Sequence, residues 1–385
     1  MSATHTDNAG SSAARHRKRG RRALLAVALG LVAALVIAEL AFREVLFGGG
    51  MLTERLGDRV RRAICYADPD ADGDFWRLHH LFTPRGSRDT FFCRDDLLGW
   101  LDVTVTPGSY GHDHERYLLE RRPVLMYGDS FAACVLPDES CWQGLLEKSA
   151  LRSEFMMLNY GTSAYGLDQA YLLMRESIDH WADLRPVVVI GILVDNDLDR
   201  CLLDFRGCPK PVLRLVDGDL EVAPPGLGNV DDWLEEHPPD IASYLLRYLA
   251  VRSEWWPAPL RPPRGEHELL VERKKTLARA IIERIAADLT ERDLEFFFVL
   301  FHAPESAASE GPWTWREELL IDTFSELGIP YVSSKRALRE DHERTGDSWQ
   351  DYYLQEGTIR GHFSSVGNRA VFPAILDGLR GEFDG

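Results

Sequence analysis

"RPVLMYGDSFAACVLPDES", residues 122–140, runs from a short apolar stretch straight into Gly-Asp-Ser. The apolar part is rich in β-formers and shows no polar alternation, the pattern of a strand buried on both faces. Gly128 permits a tight backbone directly after it. Ser130 is therefore expected on the carboxyl edge of a sheet, its hydroxyl and backbone N–H facing the same space. Alone the triplet decides little, because Gly, Asp and Ser are common turn residues.

Similar apolar runs recur at 155–159 (FMMLN), 186–194 (PVVVIGILV), 294–301 (LEFFFVLF) and 329–334 (IPYVSS). Between or after them lie amphipathic helical stretches at 141–153, 167–184, 268–293 and 314–327. Strand alternating with helix predicts an α/β domain with a parallel sheet covered on both faces, from residue 121 to 385. Residues 198–265 break the alternation. They hold a hairpin pattern, "PVLRLVDGDLEVAP", with Asp-Gly at its turn, then a Pro/Gly-rich loop and a further helix. This excursion reads as an insertion or lid, since ligands of open α/β sheets bind at the carboxyl ends of the strands. Residues 44–120 read as a connecting region with some strand content, including the alternating run 101–105.

Upstream, "RHRKRGRR" (15–22) precedes "ALLAVALGLVAALVIAELAF" (23–42), whose only charge is Glu39. As a helix this run is about 30 Å long, the thickness of a bilayer's hydrocarbon core. It is longer than a usual signal-peptide apolar core, and no clean small-x-small cleavage site follows it. An uncleaved anchor over 23–43 is expected, a cleaved signal peptide being the rival. The basic block keeps 1–22 cytoplasmic and places the rest outside, periplasmic or at the cell surface. The formal net charge of -17 speaks against nucleic acid as a partner.

The six cysteines fall as sequential pairs, Cys65 with Cys93, Cys134 with Cys141 and Cys201 with Cys208. An oxidising compartment favours disulfides, with buried free thiols as the alternative. No CxxC occurs, and neither a metal nor an organic cofactor is called for.

Three further pieces fall near carboxyl ends of expected strands or at a helix start. "NYG" puts Gly161 just past the second strand, where a backbone N–H can meet an oxyanion. "DND" puts Asn196, a neutral carboxamide donor, after the third. "GHFSSVGN" places His362 before a helix that Ser364 or Ser365 can cap. Each piece alone has an ordinary reading as a loop, an Asx turn or a surface histidine. Together and in this order they resemble the SGNH superfamily, or GDSL-type hydrolases, over residues 121–385. The flanks are similar to a membrane-anchored bacterial subgroup of it.

The resemblance implies a flavodoxin-like three-layer α/β/α fold and serine-dependent ester chemistry. Ser130 matches the nucleophile, the Ser130 N–H, Gly161 and Asn196 the oxyanion donors, and His362 the base. It departs from the family where an aspartate usually stands just before the histidine: Ile359 and Arg360 occupy those positions. Glu356 is the nominee to orient His362, with a backbone carbonyl or a distant aspartate as alternatives.

Asp129, Asp195 and His302 are candidate substrate contacts. His112 with His114, and His79 with His80, lack further spaced ligands and read as solvated. Tryptophans in "WTWREELL" and "RSEWWPAP" can stack on sugars but more often serve the core. The expected function is an exported serine esterase or O-acyltransferase acting on acylated carbohydrate or another envelope ester. The alternatives are an inactive glycan-binding or assembly protein of the same fold, and a lipase or phospholipase.

Overall fold

The computed structural model describes residues 9–48, 50–69, 73–84, 93–101, 120–226, 228–251, 268–357 and 359–383. In chain order these form α1 (Ala9–Phe47), α2 (Met51–Val60), α3 (Gly73–Phe82), β1 (Cys93–Asp95), β2 (Gly99–Leu101), β3 (Arg122–Tyr127), α4 (Ser130–Ala133), α5 (Trp142–Leu146) and β4 (Phe155–Asn159). Then come α6 (Leu167–Trp181), β5 (Val187–Leu193), α7 (Asp197–Arg200), β6 (Val212–Val216), β7 (Asp219–Ala223), α8 (Val230–Glu236) and α9 (Tyr244–Val251). The chain ends with α10 (Glu268–Glu291), β8 (Glu295–Phe301), α11 (Pro304–Ala308), α12 (Thr314–Leu327), β9 (Tyr331–Ser333), α13 (Ser334–Thr345) and α14 (Ser365–Leu379).

Two compact units divide the chain. One comprises residues 1–68 with 239–264, the other 69–238 with 265–385. In the second, β4-β3-β5-β8-β9 hydrogen-bond in that order, all parallel. Numbered by their own sequence this is 2-1-3-4-5, the flavodoxin-like order, whose switch point lies between β3 and β5. The five apolar runs became strands because both sheet faces are covered. Leu125, Tyr127, Val188 and Ile190 pack with side chains of α6, α10 and α12. Their neighbours Val124, Met126, Val187 and Val189 pack with α5, α13 and α14. The period of two thus sorts each strand into two separate apolar cores, giving three layers.

The excursion at 198–265 divides between the units. The β6–β7 hairpin, with Asp217 and Gly218 both at positive φ as its two-residue turn demands, belongs to the sheet unit together with α8. Helix α9 belongs to the other unit. Residues 69–101 likewise join the sheet unit, where Trp100 donates to the Ser163 carbonyl, Tyr165 to that of Trp100 and Gln169 to that of Leu98. Residues 102–105 of the expected alternating run lie outside the described residues.

Within the first unit, Leu24–Phe47 is long and apolar enough to cross a membrane; its most apolar stretch is unburied, while Val45 and Leu46 at its end are buried. Tyr66, fully buried, donates to the Val60 carbonyl and packs edge-on against Tyr244 of α9.

Of the expected disulfides, Cys134–Cys141 is formed. Cys65 and Cys201 are buried thiols, so neither the 65–93 nor the 201–208 bridge exists. For Cys201 the local structure supplies another partner. It sits at the end of α7 with its Sγ toward the Asp197 carbonyl, an ordinary helical contact for a small buried side chain.

Candidate active site

The turn after β3 is built around glycine. Gly128 has φ +149°, and a Cβ there would meet the Gly191 carbonyl oxygen of neighbouring β5 at 2.5 Å. Asp129 then caps α4, accepting the Phe131 N–H at 2.8 Å. Ser130 is the first residue of that helix, and its N–H is one of those a helix start leaves without an intrahelical acceptor.

His362 Nε2 lies 2.8 Å from Ser130 Oγ. The two residues are 232 positions apart. Their meeting is a product of the 2-1-3-4-5 sheet, which brings the ends of β3 and of the segment before α14 to one edge. His362 is fixed from three sides. Its ring stacks on Phe131 with centroids 5.0 Å apart. Its carbonyl accepts from Leu354 N–H, and Ser364 caps α14 behind it through Val366 N–H and Gly367 N–H. Nδ1 faces the Ile359 carbonyl oxygen at 2.9 Å. A carbonyl only accepts, so the proton sits on Nδ1 and Nε2 presents its lone pair to the serine hydroxyl. That is the tautomer a general base requires. Glu356, the expected orienting acid, is exposed, and the Ile359 carbonyl takes its place.

Around the pair, several expected roles change. Gly161 N–H donates to Asn159 Oδ1 at 2.9 Å, so it is not open toward Ser130. Asn159 Nδ2 in turn donates to the carbonyls of Ala132 and Ala133, tying β4 to α4. Asn196 stands at the start of α7, where its side chain makes no capping bond and its buried Oδ1 has no partner.

Asp129 is not a substrate contact. It is 1 % exposed, and its Oδ2 receives Arg200 at 3.2 Å and lies 3.4 Å from Ser130 Oγ. Arg200 also donates to Asp197 and to the Tyr165 carbonyl. A buried cation thus lies between two buried carboxylates, one of them the neighbour of Ser130. Burial pushes Asp197 well above the ordinary carboxylate range and the nearby Asp129 charge adds to this, with Arg200 opposing both.

Asp195 Oδ2 accepts from Ala303 N–H and Ser306 Oγ, fastening the start of α11 rather than facing substrate. His302 is fully buried between Ser334 Oγ and Glu317 Oε1, which closes it to substrate as well. His80 approaches Asp231, and His112 and His114 lie outside the described residues. Among the described residues no cluster of His, Cys, Asp or Glu could hold a metal. Trp313 packs beside the α10–α12 core, and Trp315 lies under the Arg316 guanidinium; Trp255 and Trp256 lie outside the described residues.

Nothing in the sequence singled out the roles of Asn159, Arg200 and Asn368, and the backbone carbonyl expected as an alternative partner of His362 is that of Ile359. Asn368, the Asn of "GHFSSVGN", donates to the Ser140 carbonyl, clamping the disulfide loop onto α14.

No family model matches the chain, and no curated protein matches it. Among solved structures it is similar to the acetyl xylan esterase AlAXEase, at 12 % identity and a TM-score of 0.37 over 67 % of this chain and 99 % of that one. It is also similar to a lipolytic protein of the G-D-S-L family from Veillonella parvula, at 12 % identity and 0.35 over 66 % and 97 % of the two chains. A third is Axe2, an acetylxylan esterase from Geobacillus stearothermophilus, at 12 % and 0.34 over 66 % and 92 %.

Proposed function

We propose that this chain is an SGNH-type serine esterase or O-acyltransferase, anchored through residues 23–43 with its sheet unit outside the cytoplasm. The observation that carries the chemistry is the 2.8 Å approach of Ser130 Oγ to a His362 Nε2 whose tautomer is fixed by the Ile359 carbonyl.

Ser130 Oγ attacks an ester carbonyl as its proton passes to Nε2, forming a tetrahedral oxyanion. The Ser130 N–H and the Asn196 carboxamide are the donors for that oxygen. Each such donor contributes about 3 kcal/mol to a transition state of this kind. Collapse breaks the bond to the leaving alkoxide, which takes the proton from Nε2 and departs as the alcohol. An acyl-serine remains. Water attacking it gives an esterase, and a sugar hydroxyl gives an O-acyltransferase; in both, Nε2 first accepts the acceptor's proton and then returns one to Ser130. The substrate class we favour is an acylated carbohydrate of the cell envelope, on the strength of the motif resemblance.

The test uses the purified chain, a chromogenic acetyl ester and a serine-directed phosphonate. Turnover and labelling by wild type, both lost in a folded Ser130→Ala variant, support the enzyme. A folded wild type that neither turns over the ester nor takes the label supports an inactive binding protein. Preference for long-chain over acetyl esters supports a lipase.

A further inference from the structure

Glu39 is the one charge in the apolar run, and it is not left to water. Its carboxylate accepts four hydrogen bonds, from Arg43 Nε at 2.7 Å, Ser243 Oγ at 2.8 Å, and the backbone N–H groups of Tyr244 and Leu245 at 3.0 Å each. Three of these donors come from a segment some two hundred residues away in sequence. Ser243 Oγ accepts the Leu246 N–H, and the Ser243 carbonyl accepts the Arg247 N–H. Every N–H of the first turn of α9 is therefore satisfied without solvent. The carbonyls leading into it are served as well: Arg43 donates to Ala242 O at 3.1 Å and Ile241 O at 3.4 Å.

Water-free satisfaction of a helix start is what a bilayer demands and an aqueous surface does not. Position agrees. Counting from Leu24, Glu39 lies about 22 Å along α1, which is inside a hydrocarbon layer about 30 Å thick. A bare carboxylate at that depth is costly, and a paired one is the form in which such groups are found. The outward side of α9 agrees too. Its sequence, YLLRYLAV, has a single charge, Arg247, which is exposed but whose Nε donates to the Tyr66 carbonyl. Leu246 is 52 % and Leu249 41 % exposed, as are the leucines of α1 itself. Tyr244 and Tyr248 pack against Phe47 and Phe42 of α1, supplying the aromatic belt common at a membrane interface.

We infer that residues 239–251 are a second membrane-embedded element: α9 lies in the outer interfacial layer, capped by Glu39 of the spanning helix, with Leu246 and Leu249 in lipid. The inference rests on the reading of α1 as a membrane span. Its occupant is phospholipid, because α9 packs directly on that span through the Phe42–Tyr248 and Phe47–Tyr244 ring pairs.

The test reconstitutes the full chain in phosphatidylcholine vesicles and labels Leu249→Cys or Val32→Cys with an environment-sensitive fluorophore, labelled wild type giving the background of the native cysteines. Nitroxide on the lipid acyl chains reports lipid contact, and iodide reports water. The expected result is quenching of both labels by nitroxide and of neither by iodide. In Glu39→Ala, the Leu249→Cys label should move from nitroxide to iodide quenching, while the Val32→Cys label is unchanged. Iodide quenching at Leu249→Cys with nitroxide quenching at Val32→Cys overturns the inference and leaves the span standing. Iodide quenching at both overturns the two together.

Discussion

Adding one methyl group at Gly161 should disturb the Ser130–His362 pair, and with it the proposed activity, without touching either member. A Cβ at that position would fall 2.1 Å from Ala133 N, 2.5 Å from Ala133 Cα and 2.6 Å from the Ala132 carbonyl carbon. All three are backbone atoms of the end of α4, and none can rotate away. Non-bonded carbon contacts settle near 3.5 Å, so β4 and α4 must part by about 1 Å. Asn159 resists this by holding both the Ala132 and Ala133 carbonyls. Ser130 belongs to the same four-residue helix, so the strain reaches an Oγ that has only 2.8 Å to His362. A misplacement of about 1 Å costs a reacting pair about 100-fold. Gly161→Ala should therefore lower kcat/KM on an acetyl ester by about two orders of magnitude, roughly 2.7 kcal/mol. Overpacking should also remove about 1–3 kcal/mol of stability. The measurements are initial rates and thermal melting on the same preparation. A variant that keeps near-wild-type kcat/KM and melting temperature would show that α4 is not clamped as described.

Three further outcomes are expected. Glu356→Gln should change kcat/KM by less than about twofold, because the Ile359 carbonyl already fixes the His362 tautomer; a large loss would return the orienting role to Glu356. Burial alone would raise the Glu317 pKa, but the His302 and Trp313 hydrogen bonds, the His302 charge and Lys335 outweigh it and hold the group at about 2, against an ordinary 4.5. A depressed folded value means stability that is fully present above the ordinary value and lost as pH falls through the folded one, worth about 3 kcal/mol here. Glu317→Gln should thus melt below wild type at pH 7, with the gap narrowing as pH falls from 4.5 toward 2; a gap independent of pH refutes the pairing. Replacing both Cys134 and Cys141 by Ser opens a loop seven residues apart in sequence and should cost about 2.5 kcal/mol, read as a lower denaturation midpoint.

The sheet was legible because both its faces are apolar. Runs such as 155–159 and 294–301 carry that requirement on their surface, and strand boundaries fell within two residues of them. Ser130 and His362 were legible from motif order. What stayed hidden were pairings that depend on which neighbour reaches a group first. Gly161 lost its N–H to Asn159, two residues away, and nothing in "NYG" distinguishes that turn from an open one. Asp129 and His302 stand at the right edge of the sheet, yet Arg200 and Glu317 reach them from beneath. His362 lacks an acid because a main-chain oxygen serves, and main-chain oxygens leave no mark in a sequence. The break at residue 239 was invisible for a similar reason: Glu39 selects α9 through contacts across two hundred positions.

The distance in sequence between serine and imidazole has a bearing on truncation. Ser130 follows the first strand of the parallel sheet and His362 comes only after the last, and Asn368 fastens the helix that follows to the disulfide loop. No fragment of this chain that stops short of residue 362 contains both groups, so any chemistry that needs the two together requires the whole folded sheet unit.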